Sequence, residues 1–152
     1  MGARRVMKEI EIITKEPIEG FEVSIPAPDN CFKWRAYIAG PEGTPYAGGR
    51  FEMQVDIPEE YPHKPPSVKF ITKIYHPNVS PQSGYICLDI LQHMWSPALS
   101  ISKVLLSVSS LMSEPNPSSP LNGEAGRLMS SNIAEYNRIG AEWTKNYAMS
   151  HK

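Results

Sequence analysis

A chain of 152 residues with 15 basic and 16 acidic side chains suits one domain and can bury a core without disulfide or metal support. The near-zero balance offers no broad basic face for nucleic acid, and no apolar run reaches the roughly 18 residues of a membrane span. Two cysteines, Cys31 and Cys87, argue against a disulfide scaffold and fit a reducing compartment, cytoplasm or nucleus.

Residues 1–152 read as a single domain, without internal repeat, low-complexity tract or signal-peptide core. Val6, Ile10 and Ile13 recur at helical spacing, leaving Arg4, Arg5, Lys8, Glu9 and Lys15 for a wet face. Pro17 ends that helix. Four strands are expected next. Phe21, Val23 and Ile25 alternate with polar residues, as do Phe32 to Ile38 and Phe51 to Ile57, and a shorter strand runs near Val68 to Ile71. Such alternation means one covered face and one wetter face, which favours antiparallel pairing. Gly40 to Gly49 turns the chain between the second and third strands. Pro62, Pro65 and Pro66 then force an extended connection.

From Tyr75 to Leu91 neither helical nor strand periodicity holds, and Pro77 and Pro81 break both. Irregular segments of this length are uncommon in a compact domain unless functional or disordered. Tyr75, Val79, Tyr85, Ile86, Leu88, Ile90 and Leu91 argue for order. Beyond it, Ser100 is placed to cap a helix whose stripe is Ile101, Val104, Leu105, Val108, Leu111 and Met112, stopped by Pro115 and Pro117. Asn122 is placed to cap a short helix, and Ile133, Tyr136, Ile139, Trp143 and Tyr147 mark a last one. The map is an α+β fold: a four-stranded antiparallel meander packed with four helices.

The segment gathers His76, Asn78, a Gly84 turn, Cys87 and Asp89. Cys87 reads either as a small buried hydrophobe or as a nucleophile. Cys31, at the mouth of a strand with no polar constellation nearby, reads as structural. A free thiol is only a few per cent thiolate at neutral pH, so hydrolases add a base. His76 as that base gives a Cys-His-Asn hydrolase; the plainer reading has its ring bonding backbone of its own turn. Asn78 reads as a turn former or as an amide donor to a developing oxyanion. Asp89 reads as a solvated carboxylate, or as a group that holds and deprotonates an incoming amine. His63, His93 and His151 share no metal-ligand spacing with the cysteines, so no metal site is expected.

His76-Pro77-Asn78, the run Ile86 to Leu91, and Trp95 to Leu99 resemble the ubiquitin-conjugating enzymes. The likeness continues through Tyr61 to Pro66, Gly48-Gly49, Glu114 to Pro117 and Glu142-Trp143-Thr144, covering nearly the whole chain as a catalytic core. It implies that Cys87 takes the C-terminal glycine of ubiquitin from an activating enzyme as a thioester. A RING or HECT ubiquitin ligase then directs it to a substrate lysine or to a ligase cysteine. ATP is spent upstream, so no cofactor is implied, and no Walker-type loop is present. The likeness assigns Asn78 an oxyanion or loop-fixing role. It places Arg5, His63, Pro97 and Ala98 where ligases dock, and Leu99, Leu106 and Ser110 where donor ubiquitin folds back.

Several positions depart from the family pattern. The stretch from Asn78 to Cys87 holds one residue more than the commonest spacing, with Pro81 inside it. Ser119, beside the path of the substrate lysine, stands where many relatives have Asp and brings charge only if phosphorylated. His63 replaces the usual Phe or Met, a weaker apolar plug. Glu22 replaces a small residue near the back-face site for non-covalent ubiquitin, and Asp56 an apolar one near the face some relatives use for an inactive variant partner. Such non-catalytic variants, ubiquitin-binding scaffolds, are the competing class; they lack the cysteine that Cys87 supplies.

Overall fold

The computed structural model describes residues 2–118 and 120–149. Helix α1 (Gly2–Lys15) leads into β1 (Phe21–Ser24), β2 (Lys33–Ala39), β3 (Arg50–Asp56) and β4 (Ser67–Phe70). Then come α2 (Ile101–Ser113), α3 (Gly123–Ser131) and α4 (Ile133–Trp143), the last running into a π turn at Thr144–Ala148. The sheet is a meander in the order β1-β2-β3-β4, antiparallel throughout. The expected α+β fold of one such sheet and four helices is therefore the one observed.

Strand register follows from the alternation. Pairing Ala36 with Met53 and Trp34 with Val55 stacks buried residues from both strands on one face, because side chains change face at every residue. That face shares a continuous core with Val6 and Ile13 of α1 and Ile101, Val104, Leu105, Val108 and Met112 of α2. On the other face Arg35 pairs with Glu52, and Arg50 pairs with Glu22 while stacking over the Tyr37 ring at 3.9 Å. Glu22, the departure noted above, is thus held in an ion pair on this outer face.

Both expected helix caps form. The Ser100 side chain accepts from the Lys103 amide of α2, and the Asn122 side chain from the Ala125 amide of α3. Asn132 closes α3 and opens α4, its side chain accepting from the Glu135 amide. A smaller cluster, in which Tyr75, Ala125 and Tyr136 are buried, seats α3 and α4 against the start of the irregular segment. Among the described residues no helix is long and apolar enough to cross a membrane.

Two expectations need correction. Glu9, placed on the wet face of α1, is buried, because its carboxylate meets Arg5, Tyr61 and the first amide of α2. The segment from Tyr75 to Leu91 is also less irregular than its sequence implies, as the geometry below shows.

Candidate active site

The segment folds as a buried anchor followed by a surfaced hairpin. Val79 bridges Ile86, and Lys69 of β4 bridges Tyr85. The Cys87 amide donates to the Asn78 carbonyl at 2.8 Å, the Ser80 amide to the Tyr85 carbonyl at 2.9 Å. Gly84 turns the hairpin with φ of 80°, and a Cβ there would lie 2.0 Å from the Phe70 carbonyl oxygen. Only glycine fits both demands. The tip at Pro81–Ser83 is half-buried to exposed, and Asn78 and Cys87 face each other across the pair.

Cys87 is half-buried as the chain leaves this hairpin. Asp89, two residues on, is exposed and opens a 3-10 turn (Asp89–Leu91). Cys31 is half-buried as well, but it packs against the core and its carbonyl accepts from the Trp34 indole N–H at 2.9 Å.

The anchor is held by side chains whose polar atoms are all used. His76 is fully buried; its Nε2 lies 2.8 Å from the Leu111 carbonyl, and its Nδ1 accepts from the Asn78 amide at 3.0 Å. A carbonyl can only accept, so Nε2 carries the proton. Burial holds this imidazole down to about 4, against an ordinary 6.5. With neither ring nitrogen free, His76 has no lone pair to offer a thiol, and the hydrolase reading loses its base. Pro77 contributes its carbonyl, which accepts from the Leu121 and Asn122 amides at 2.7 and 3.1 Å.

Asn78 is buried and bonds Asn116 twice. Its Nδ2 donates to the Asn116 carbonyl at 2.7 Å, and its Oδ1 accepts from the Asn116 amide at 2.8 Å. The Asn116 side chain in turn accepts from the Ser118 amide and hydroxyl. Asn116 is the residue that sequence reading missed, since nothing local announces a partner 38 positions away. Ser119 lies outside the described residues.

Residues 5–144 match the family described as ubiquitin-conjugating enzyme. The chain belongs to that family. Among solved structures, it is similar to a Plasmodium yoelii protein assigned as a ubiquitin-conjugating enzyme, at 42% identity and a TM-score of 0.91, covering 99% of this chain and 97% of that one. It is also similar to the E2 domain of a Toxoplasma gondii ubiquitin-conjugating enzyme, at 41% identity and a TM-score of 0.89, covering 97% of this chain and 99% of that one.

The remaining positions singled out from the family likeness fall in two groups. His63, Pro97 and Ala98 are exposed in the loops near α1, where Arg5 is half-buried and donates from Nη2 to the Leu99 carbonyl at 2.6 Å. Leu106 and Ser110 are exposed on α2, four residues apart and so on one face of that helix. Leu99 sits half-buried between the two groups in sequence. Among the described residues no group of three or more His, Cys, Asp or Glu side chains could hold a metal.

Proposed function

We propose that this member of the ubiquitin-conjugating enzyme family carries ubiquitin as a thioester on Cys87 and passes it to lysine. Cys87 attacks the thioester carbonyl presented by the activating enzyme as its thiolate, the thiol proton having gone to solvent; a new S–C bond forms, the old one breaks and that enzyme's thiolate leaves. A lysine amine then attacks the same carbonyl, an amide forms, the amine proton goes to base and the Cys87 thiolate departs. ATP is consumed upstream, and a RING or HECT ligase supplies the substrate. The observation that carries this reading is the position of Cys87: half-buried, not sealed in the core, at the hairpin exit, while its backbone amide is fixed by the Asn78 carbonyl.

Asp89 holds and deprotonates the amine, for which its exposure on the adjoining turn is suitable. Asn78 acts as a positioning residue, since both polar atoms of its amide are engaged by Asn116. Arg5, His63, Pro97 and Ala98 form the ligase platform, and Leu99, Leu106 and Ser110 the donor-ubiquitin face.

Incubation with activating enzyme, ubiquitin and ATP tests the reading. The wild-type protein forms an adduct that thiol reductant cleaves, Cys87→Ser at most a reductant-stable ester, and Cys87→Ala none. Loss of the adduct in Cys31→Ala with retention in Cys87→Ala would overturn the assignment.

A further inference from the structure

Glu9 is a buried carboxylate that the proposed chemistry does not use. It lies 8% exposed on α1 and joins that helix to the Tyr61 turn and to the start of α2. Its Oε2 accepts from the Arg5 guanidinium at 2.7 Å and from the Tyr61 hydroxyl; its Oε1 accepts from the Ile101 amide at 2.8 Å. Ile101 is the first residue of α2, so Glu9 satisfies an amide at the positive end of that helix from 92 residues away. Arg5 also bonds the Leu99 carbonyl and lies over the Tyr61 ring, 5.4 Å from its centroid. The Trp95 indole packs near Tyr61 and donates to the Pro62 carbonyl at 2.9 Å.

A surface ion pair would be worth little here, but a desolvated carboxylate with three donors is different. Removing it strands the Tyr61 hydroxyl and the Ile101 amide, donors of residues that burial has cut off from water. Burial, then Glu9, raises the Tyr61 hydroxyl above its ordinary range, so it stays a donor. The network is therefore a hydrogen-bonded ion pair at the junction of α1, the turn bearing His63, the loop bearing Pro97 and Ala98, and the start of α2.

We propose that Glu9 is a positioning residue that registers α2 against the ligase platform. A ligase seated on Arg5, His63, Pro97 and Ala98 touches α1 and both loops. Leu106 and Ser110 lie beyond, on α2. The three bonds of Glu9 tie these parts, so contact at the platform biases the helix that presents the donor-ubiquitin face. This inference rests on the ligase-docking part of the proposed function and not on thioester formation at Cys87.

The test follows backbone amides by NMR in the unloaded protein, titrated with RING domains from a panel. In the wild-type protein, a RING domain that binds shifts the amides of Ala98 and Leu99, which follow Pro97, and also those at residues 106–110. In Glu9→Gln only one amide atom accepts, and its nitrogen faces donors on the other side. The shifts at Ala98 and Leu99 persist, those at 106–110 fall by more than half, and ligase-stimulated discharge from Cys87 drops about tenfold, the scale of one hydrogen bond to a charged group. Ligase-free discharge stays within about twofold. Tyr61→Phe removes one donor, keeps the carboxylate bonded to Arg5 and Ile101, and gives a smaller loss of the same kind. Equal loss of stimulated and ligase-free discharge in either variant would show a merely structural role. Retention of the shifts at 106–110 in Glu9→Gln would also overturn the proposal, as would a panel in which no RING domain binds wild type. Failure of Cys87 to load, with the shifts behaving as described, would sink the thioester reading alone.

Discussion

From Ile74 to Val79 every residue is buried, whereas from Ser80 to Leu91 only Ile86 and Leu88 are. The two stretches are consecutive and each holds one proline, yet they satisfy their backbones in opposite ways. The first sends His76, Pro77 and Asn78 outward to Leu111, Leu121, Asn122 and Asn116. The second bonds chiefly to itself and to the edge of β4. A buried backbone needs partners on other elements; a surfaced one can close locally and leave its side chains to meet another molecule. The difference assigns shape to the first stretch and chemistry to the second.

The largest expected effect lies in the buried stretch and is one of stability. An unfolded His76 takes a proton as pH falls through about 6.5, while the folded one stays neutral until about 4. The folded state is the poorer proton binder in that interval. Its full stability is thus present above 6.5, declines as pH falls, and the loss is complete once pH has passed through 4, on the order of 3 kcal/mol for a shift of this size. An NMR titration of the imidazole with a midpoint near 4 and a matching fall in urea stability check this. A midpoint near 6.5 would mean that His76 is not sealed, and the contrast between the stretches would weaken.

Asn78 sits on the border, and its variant sharpens the comparison. Asn78→Ala cuts both bonds to Asn116 and frees the strand that follows. Discharge to free lysine is expected to fall roughly 10- to 100-fold, the scale of a misplaced reaction partner, with loading changed by less than about threefold. Asn78→Asp keeps an acceptor for the Asn116 amide but loses the donor to its carbonyl, and falls between. Single-turnover loading and discharge assays separate the steps. Equal defects in both would make Asn78 part of the anchor and nothing more.

How far the sequence discloses these roles depends on the range of the interaction. Strand alternation gave the right faces for β2 and β3 because the side-chain period is a local property, and the caps Ser100 and Asn122 could be read from their own neighbours. The reading of His76 as bonded to backbone also holds, though its Leu111 partner is 35 residues off. The burial of Glu9 was written in its spacing, three residues after Val6 and four before Ile13 on the face that α1 buries, but its charge argued for solvent, and the partners that offset the charge, Tyr61 and Ile101, lie far along the chain. The hairpin from Asn78 to Cys87 escaped notice because too few of its residues alternate. Cys87, in contrast, stood out from its place in the irregular segment between prolines and after Gly84, and the family likeness, through motifs spread along the chain, is what implied a role for it.

The smallest effect belongs to Asp89, in the surfaced stretch. Its backbone carbonyl, accepting from the Gln92 and Met94 amides at 3.0 Å each, closes the turn, while its side chain is exposed. The carboxylate is therefore dispensable for the local fold, and Asp89→Asn should change stability by less than about 0.5 kcal/mol. If the carboxylate takes the proton of the attacking amine, the variant discharges to lysine about tenfold more slowly near neutral pH, a small effect for a base because this one is open to water. The deficit then shrinks as pH rises toward the lysine range, where more of the amine arrives already neutral. Discharge rates of preloaded protein measured from pH 7 to 10 decide it. A deficit constant across that range would assign Asp89 to orientation of the lysine, and a defect in loading would move it from the second step to the first.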